Sequence, residues 1–194
     1  VVAGPRDVAV GDLNNDGLLD MIVTNGGSSV SVLMNTSTSG TISFAAAQTL
    51  TLSAAGLVRI ADIDKDGIND ILVSTTGGTV SVHRNTSTLP GSTITVGPAV
   101  STGIAAHDFV TGDLDNDGKL EVVASNTTSL RIAPNTSSAG SISFGTPIAI
   151  TTISSFALGI ADLDNDGKND IFQGGEWSLD GRAWKNGYST GALQ

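Results

Sequence analysis

Val8-Ala9-Val10-Gly11-Asp12-Leu13-Asn14-Asn15-Asp16-Gly17-Leu18-Leu19-Asp20-Met21-Ile22-Val23 carries the pattern that decides the fold. An apolar stretch ends in a small residue, an acidic loop follows, and a continuous apolar run begins at once. The loop returns as Asp62-Ile63-Asp64-Lys65-Asp66-Gly67-Ile68-Asn69-Asp70 and as Asp113-Leu114-Asp115-Asn116-Asp117-Gly118-Lys119-Leu120-Glu121. Its fourth copy is Asp162-Leu163-Asp164-Asn165-Asp166-Gly167-Lys168-Asn169-Asp170. The copies start at residues 12, 62, 113 and 162, steps of 50, 51 and 49. A fixed period of this length marks a repeat architecture, in which each unit covers its apolar surface by stacking on the next.

Outward from the loop, each unit reads as strands. The run after it (Met21-Ile22-Val23, Ile71-Leu72-Val73, Val122-Val123-Ala124, Ile171-Phe172) suits a strand buried on both faces. Val30-Ser31-Val32, Val80-Ser81-Val82 and Leu130-Arg131-Ile132 alternate with the period of two that gives a sheet two different faces. A final strand is expected at Ile42-Ser43-Phe44, Ile94-Thr95-Val96 and Ile142-Ser143-Phe144. No segment has helical periodicity. Four short strands in about 50 residues describe a β-propeller blade. The expected fold is all-β, a propeller of about four four-stranded blades near residues 1–50, 51–100, 101–150 and 151–194. A β-sandwich of this length would not need so regular a repeat. The fourth unit lacks most of a final strand, so a segment of a larger propeller is expected.

Charge follows the same map. The four loops hold 15 of the 19 Asp and Glu, so the formal charge of −10 sits in four knots. Four divalent cations would bring it to −2. Without cations, like charges a few ångströms apart repel, and some would protonate. Nine scattered Lys and Arg make nucleic acid a poor partner. There is no cysteine and no apolar run long enough for a membrane helix, so neither thiolate metal sites nor membrane insertion is expected.

The loop spacing indicates a cation and its class. Oxygens at positions 1, 3 and 5 alternate toward one centre, and Gly at position 6 permits the sharp turn. The position 7 carbonyl and the position 9 carboxylate complete a hard oxygen set of the kind that selects Ca²⁺ over Mg²⁺. The expected ligands are Asp12, Asn14, Asp16, Leu18 and Asp20; Asp62, Asp64, Asp66, Ile68 and Asp70; Asp113, Asp115, Asp117, Lys119 and Glu121; and Asp162, Asp164, Asp166, Lys168 and Asp170. About four Ca²⁺ are expected, one per repeat, the first held more weakly because Asn14 replaces a carboxylate. The loop is not an EF-hand, because position 12 is Val23, Val73, Ala124 or Gln173 instead of Glu. The competing reading is an acidic Asx-type turn that needs no metal.

The repeat, carried by Val8-Ala9-Val10-Gly11-Asp12-Leu13 with Asn14-x-Asp16-Gly17-x-x-Asp20 and its counterparts, resembles the FG-GAP and VCBS repeats. These occur in integrin α-subunit propellers and in many bacterial surface or secreted proteins. Phe144-Gly145 matches the Phe-Gly element, whereas Phe44-Ala45 and Val96-Gly97 depart from it. Polar turns such as Thr24-Asn25-Gly26 place the chain nearer the bacterial VCBS type. The resemblance implies a calcium-binding, integrin-like propeller whose loops lie between the first two strands of each blade and stiffen it. It also implies a secreted or cell-surface protein, a non-catalytic module of cell adhesion, protein interaction or assembly. Alternatives are a lectin-like propeller and a non-catalytic part of a polysaccharide-degrading enzyme. The partner would be a protein or glycan, with further blades supplied by the same or another chain.

No nucleophile–base pairing stands out, and no enzyme is expected. Asn35, Asn85, Asn135 and Asn126 fit the N-glycosylation pattern, but three recur in register, which favours a turn that requires Asn. His83 and His107 stand apart and read as ordinary residues. Glu176, Trp177, Asp180, Arg182, Trp184 and Tyr188 fall within 13 residues. They read either as a sugar-binding shelf or, as favoured here, as aromatic packing that caps an end blade.

Overall fold

A computed structural model describes residues 4–53, 56–75, 78–91, 93–151, 157–174 and 181–187. Among them there is no helix, and therefore none long and apolar enough to cross a membrane. Four antiparallel sheets stand in chain order as propeller-like blades. The first contains β1 (Pro5–Gly11), β2 (Asp20–Asn25), β3 (Ser29–Leu33) and β4 (Gln48–Thr51). The second contains β5 (Val58–Ala61), β6 (Asp70–Ser74), β7 (Thr79–Asn85) and β8 (Val96–Ala105). The third contains β9 (Asp108–Gly112), β10 (Glu121–Ser125), β11 (Leu130–Ala133) and β12 (Ile148–Thr151). The fourth has three described strands, β13 (Ala157–Ala161), β14 (Asp170–Gly174) and β15 (Arg182–Trp184).

The core lies between consecutive blades, as expected for sheets that cannot cover both faces alone. Leu13, Ile22, Val30 and Val32 of the first blade pack against Val58, Ile71 and Val73 of the second. Leu72, Val80 and Val82 of the second meet Phe109, Val122 and Ala124 of the third. Leu114, Val123 and Ile132 of the third meet Ile171 of the fourth, with Leu158 and Ile160 at the margin. The continuous apolar runs are second strands, and β6 and β10 are buried along their whole length. The small residue before each acidic loop is explained by this stacking. A Cβ on Gly11 would lie 2.7 Å from Cγ2 of Ile60, and one on Gly112 would lie 2.8 Å from Cγ2 of Ile160.

Polar groups join the first strands. The Arg59 guanidinium reaches back to Asp7 (2.8 Å) and forward to Asp108 (3.2 Å), 5.3 Å from the centroid of the Phe109 ring. Asp7 also accepts the Val58 N–H at 2.9 Å, and Asp108 accepts the Leu158 N–H at 2.8 Å.

The expected final strand is corrected. Residues 35–44 and 135–144 are narrow hairpin arms closed by the pairs Asn35↔Phe44, Thr38↔Thr41, Asn135↔Phe144 and Ser138↔Ser141. The fourth strands β4 and β12 come later, at 48–51 and 148–151, and β8 begins only at Val96. The short apolar alternation was ambiguous because an arm has two faces as well. Ile94 and Ile142 are buried in the cores against the preceding blade, and Gly40 and Gly140 turn the arm tips at φ of 81° and 84°.

Candidate metal centre

Each acidic loop joins the first and second strands of its blade. Its ends are held opposite by the pairs Gly11↔Asp20, Ala61↔Asp70, Gly112↔Glu121 and Ala161↔Asp170. Two backbone reversals shape it. Gly17, Gly67, Gly118 and Gly167 at position 6 have φ between 81° and 85°, as the spacing requires. Position 4 is also left-handed, at φ 55° to 60° for Asn15, Lys65, Asn116 and Asn165. That second reversal was readable in the recurrent Asn, which tolerates this region better than most residues.

The loop carboxylates are held by backbone N–H groups. Asp62 accepts from Asp66 (3.2 Å) and Gly67 (2.9 Å), Asp64 accepts from Asp66 (3.2 Å), and Asp66 accepts from Ile68 (2.9 Å). Position 9 differs, because its buried carboxylate reaches out of the loop to a backbone N–H at or just past the end of the third strand. Asp70 accepts from Ile63 at 3.1 Å and from Asn85 at 2.9 Å. Asp20, Glu121 and Asp170 repeat the arrangement with Leu13 and Asn35, Leu114 and Asn135, and Leu163 and Asn186. Position 9 is thus a framework residue before any cation is considered.

The recurrent Asn completes the frame. Asn85 donates to the Leu13 carbonyl of the preceding blade (2.9 Å) and to its own Asn69 carbonyl (3.0 Å). Asn135 does the same with Ile63 and Leu120. Their Oδ1 atoms accept the Ser87 and Ser137 N–H groups, and Asn126 Oδ1 similarly accepts from Thr128 and Ser129. The structural reading of these sequons is therefore the one observed.

In three loops, three carboxylates each bring an oxygen within 4.8 Å of the others and so could hold a metal ion. They are Asp62, Asp64 and Asp66; Asp113, Asp115 and Glu121; and Asp162, Asp164 and Asp170. Oxygens about 2.3–2.6 Å from one Ca²⁺ stand no farther apart than roughly 5 Å. The first loop forms no such group among the described residues. There the Asn14 amide donates to Asp16 at 2.9 Å. The third loop fits a cation best, because Asp113 Oδ1 is buried and has no hydrogen-bond partner among the described residues. In the second, the Arg84 guanidinium grips Asp64 (2.8 Å) and Asp66, and in the fourth Lys185 engages Asp164 and Asp166. The placement of Leu18, Ile68, Lys119 and Lys168 one residue after the glycine keeps their carbonyls as candidate ligands, while their N–H groups serve the position 5 carboxylates.

Burial pushes the Glu121 carboxyl up to about 7 and that of Asp70 up to about 6, with neighbouring loop charges adding to the effect. Asp20 and Asp115 move the same way for the same first cause. In the metal-free protein, the folded state therefore retains protons that the unfolded chain releases near pH 4. Where the folded state binds more protons, stability falls as pH rises. This contribution is complete below about pH 4 and disappears as pH rises through 6 and 7. Burial lowers the His83 pKa, which acts in the opposite direction over part of this window, but with the two carboxyls outweighing one imidazole, urea unfolding in chelator is expected to give a lower midpoint at pH 7.5 than at pH 5.5. An equal or higher midpoint at pH 7.5 would contradict these shifts.

His83 is buried, with Nδ1 3.3 Å from the Gly97 carbonyl. Trp184 is half-buried and packs on the core between the third and fourth blades. Glu176, Trp177, Asp180 and Tyr188 lie outside the described residues.

The FG-GAP-like repeat model matches three times, over residues 12–73, 62–124 and 113–172. The chain belongs to the FG-GAP-like repeat family. Each match begins at one acidic loop and runs past the next, so these repeats include the junction between blades as well as the loop. Comparison with curated proteins gives no match. Among solved structures, an Agrocybe aegerita lectin is similar, with a TM-score of 0.59 and 22% identity. Its structure concerns specific recognition of non-reducing terminal N-acetylglucosamine. The likeness, one of fold, covers 84% of this chain and 46% of the lectin, so the FG-GAP-like chain spans less than half the lectin's length.

Proposed function

We propose that this chain is a calcium-stabilised, non-catalytic binding or assembly module of a secreted or cell-surface protein, of the bacterial type of FG-GAP-like repeat. The observation that carries the calcium reading is the buried, unpartnered Asp113 Oδ1 grouped with Asp115 and Glu121. A carboxylate oxygen withdrawn from water without a partner is costly, and a divalent cation would supply the missing charge. Asp113, Asp115, Asp117 and Glu121 would hold the ion with the Lys119 carbonyl, and the equivalent residues would do so in the second and fourth loops. Asp12, Asn14, Asp16, Leu18 and Asp20 would form a weaker site. The cation would neutralise the loop and lock the first two strands of its blade.

Calorimetric titration with Ca²⁺ tests this reading. Saturable binding of about three equivalents is expected, with one lost in Asp113→Asn/Asp115→Asn; no binding heat and no calcium-dependent change in the protein would refute it. Glycan recognition is the second reading, supported by the fold likeness to a lectin. The half-buried position of Trp184 in the core favours its packing role over a sugar shelf.

A further inference from the structure

The residue before each recurrent Asn differs between blades in its charge. It is Met34 in the first blade, Arg84 in the second, Pro134 in the third and Lys185 in the fourth. The end of the third strand lies beside the acidic loop, because the position 9 carboxylate accepts the N–H of the recurrent Asn. A basic side chain one residue earlier is therefore delivered to the loop's own carboxylates.

In the second blade this contact is a fork. Arg84 Nε donates to Asp64 Oδ2 at 2.8 Å and Nη2 engages Asp66 Oδ2, so one planar guanidinium spans loop positions 3 and 5. The Asp64 side chain is fully buried. Its Oδ1 accepts the Asp66 N–H, and its Oδ2 also accepts the Gly140 N–H at 2.9 Å, from the arm tip of the third blade. A carboxylate withdrawn from water needs a positive partner, and here Arg84 supplies it. The third loop repeats Asp at positions 1, 3 and 5 but has Pro134 in place of the fork. There Lys119 pairs with Asp117, and Asp113 Oδ1 is buried with no hydrogen-bond partner among the described residues. In the fourth blade Lys185 reaches Asp164 and Asp166 through a single ammonium on a side chain that is 61% exposed, a weaker form of the same contact.

We propose that Arg84 is the built-in counter-ion of the second loop and lowers that loop's affinity for calcium below that of the third. The proposal rests on the calcium reading above and adds an order of filling to it. Two of the three carboxylates grouped in the second loop, Asp64 and Asp66, are those the fork engages. A guanidinium within a few ångströms of a divalent cation is repelled by it, so Arg84 must give up its contacts when the loop binds one. The third loop therefore fills first, and the second fills at higher calcium. Because Gly140 shares an oxygen with Arg84, that second step is felt in the arm of the third blade.

Calcium titration of the full chain, followed by the amide NMR signals of Gly67 and Gly118, tests this loop by loop. These two N–H groups donate to the position 1 carboxylates Asp62 and Asp113. In the wild type Gly118 should shift first, and Gly67 together with Gly140 at about tenfold higher calcium or more. In Arg84→Met, which copies the residue of the first blade, Gly67 should respond at about tenfold lower calcium, with Gly118 unchanged. Tenfold is the scale of one charge-assisted hydrogen bond. Arg84→Gln removes the charge at similar length, should shift Gly67 in the same direction, and replaces Arg84→Met if that variant fails to fold. If calcium moves neither Gly67 nor Gly118 in any of these proteins, the calcium reading fails and this proposal with it. If Gly118 responds but the variants leave the Gly67 midpoint unchanged or raise it, the role of Arg84 is overturned and the calcium reading stands.

Discussion

Removing calcium is expected to lower the melting temperature of this protein by about 20 °C. The magnitude follows from linkage, because an ion held a hundredfold above its dissociation constant adds about 2.7 kcal/mol per site. Three such sites add about 8 kcal/mol, and for a chain of this size each kcal/mol moves the midpoint by about 2–4 °C. Three loops group three carboxylates each, and the chain carries ten excess negative charges, so there is little basic charge to replace the ions. Arg84 and Lys185 partly do so in the second and fourth loops, whereas in the third Lys119 pairs with Asp117, outside the group of Asp113, Asp115 and Glu121, which should leave the third loop the most dependent on metal. Scanning calorimetry with and without chelator measures the shift. Coinciding curves would remove calcium from the account and leave the loops as Asx-type turns.

Asp70→Ala is expected to destabilise the protein even in chelator, by about 2–6 kcal/mol. The carboxylate is fully buried, and its two oxygens accept the N–H groups of Ile63 and Asn85. Truncation orphans both donors, and each buried unsatisfied group costs about 1–3 kcal/mol. Release from burying a charge offsets part of this, since burial already pushes the Asp70 carboxyl up to about 6. Asp66→Ala is the matched comparison. It removes the acceptor of the Ile68 N–H and one of the two carboxylates that Arg84 engages, leaving Arg84 paired with Asp64, and should weaken calcium binding with a smaller effect on the metal-free protein. Urea unfolding in chelator separates the two. Equal losses would show that positions 5 and 9 do the same work and would contradict a framework role for Asp70.

Much of this architecture was legible because it depends on residues close in sequence. The period, the strand buried on both faces at Ile71-Leu72-Val73 and the turn at Gly67 are local properties of one repeat. The recurrent Asn35, Asn85 and Asn135 could be assigned to structure from their register, but not to a particular bond. Asn85 reaches a carbonyl 72 residues earlier, and no local pattern encodes that distance. The final strand was misplaced because Ile142-Ser143-Phe144 alternates as a strand does, while its burial depends on the blade before it. The Arg59 bridge likewise joins Asp7 and Asp108 across three blades and leaves no sequence motif.

By itself the sequence determined the repeat, the all-β class and the oxygen-rich loop, since spacing, periodicity and charge are properties of the chain read in order. Only the tertiary structure decided which carboxylates meet and which have basic partners. It also placed the position 9 carboxylate as framework. These outcomes depend on one blade lying against the next, and stacking brings together groups about 50 residues apart that no local pattern pairs.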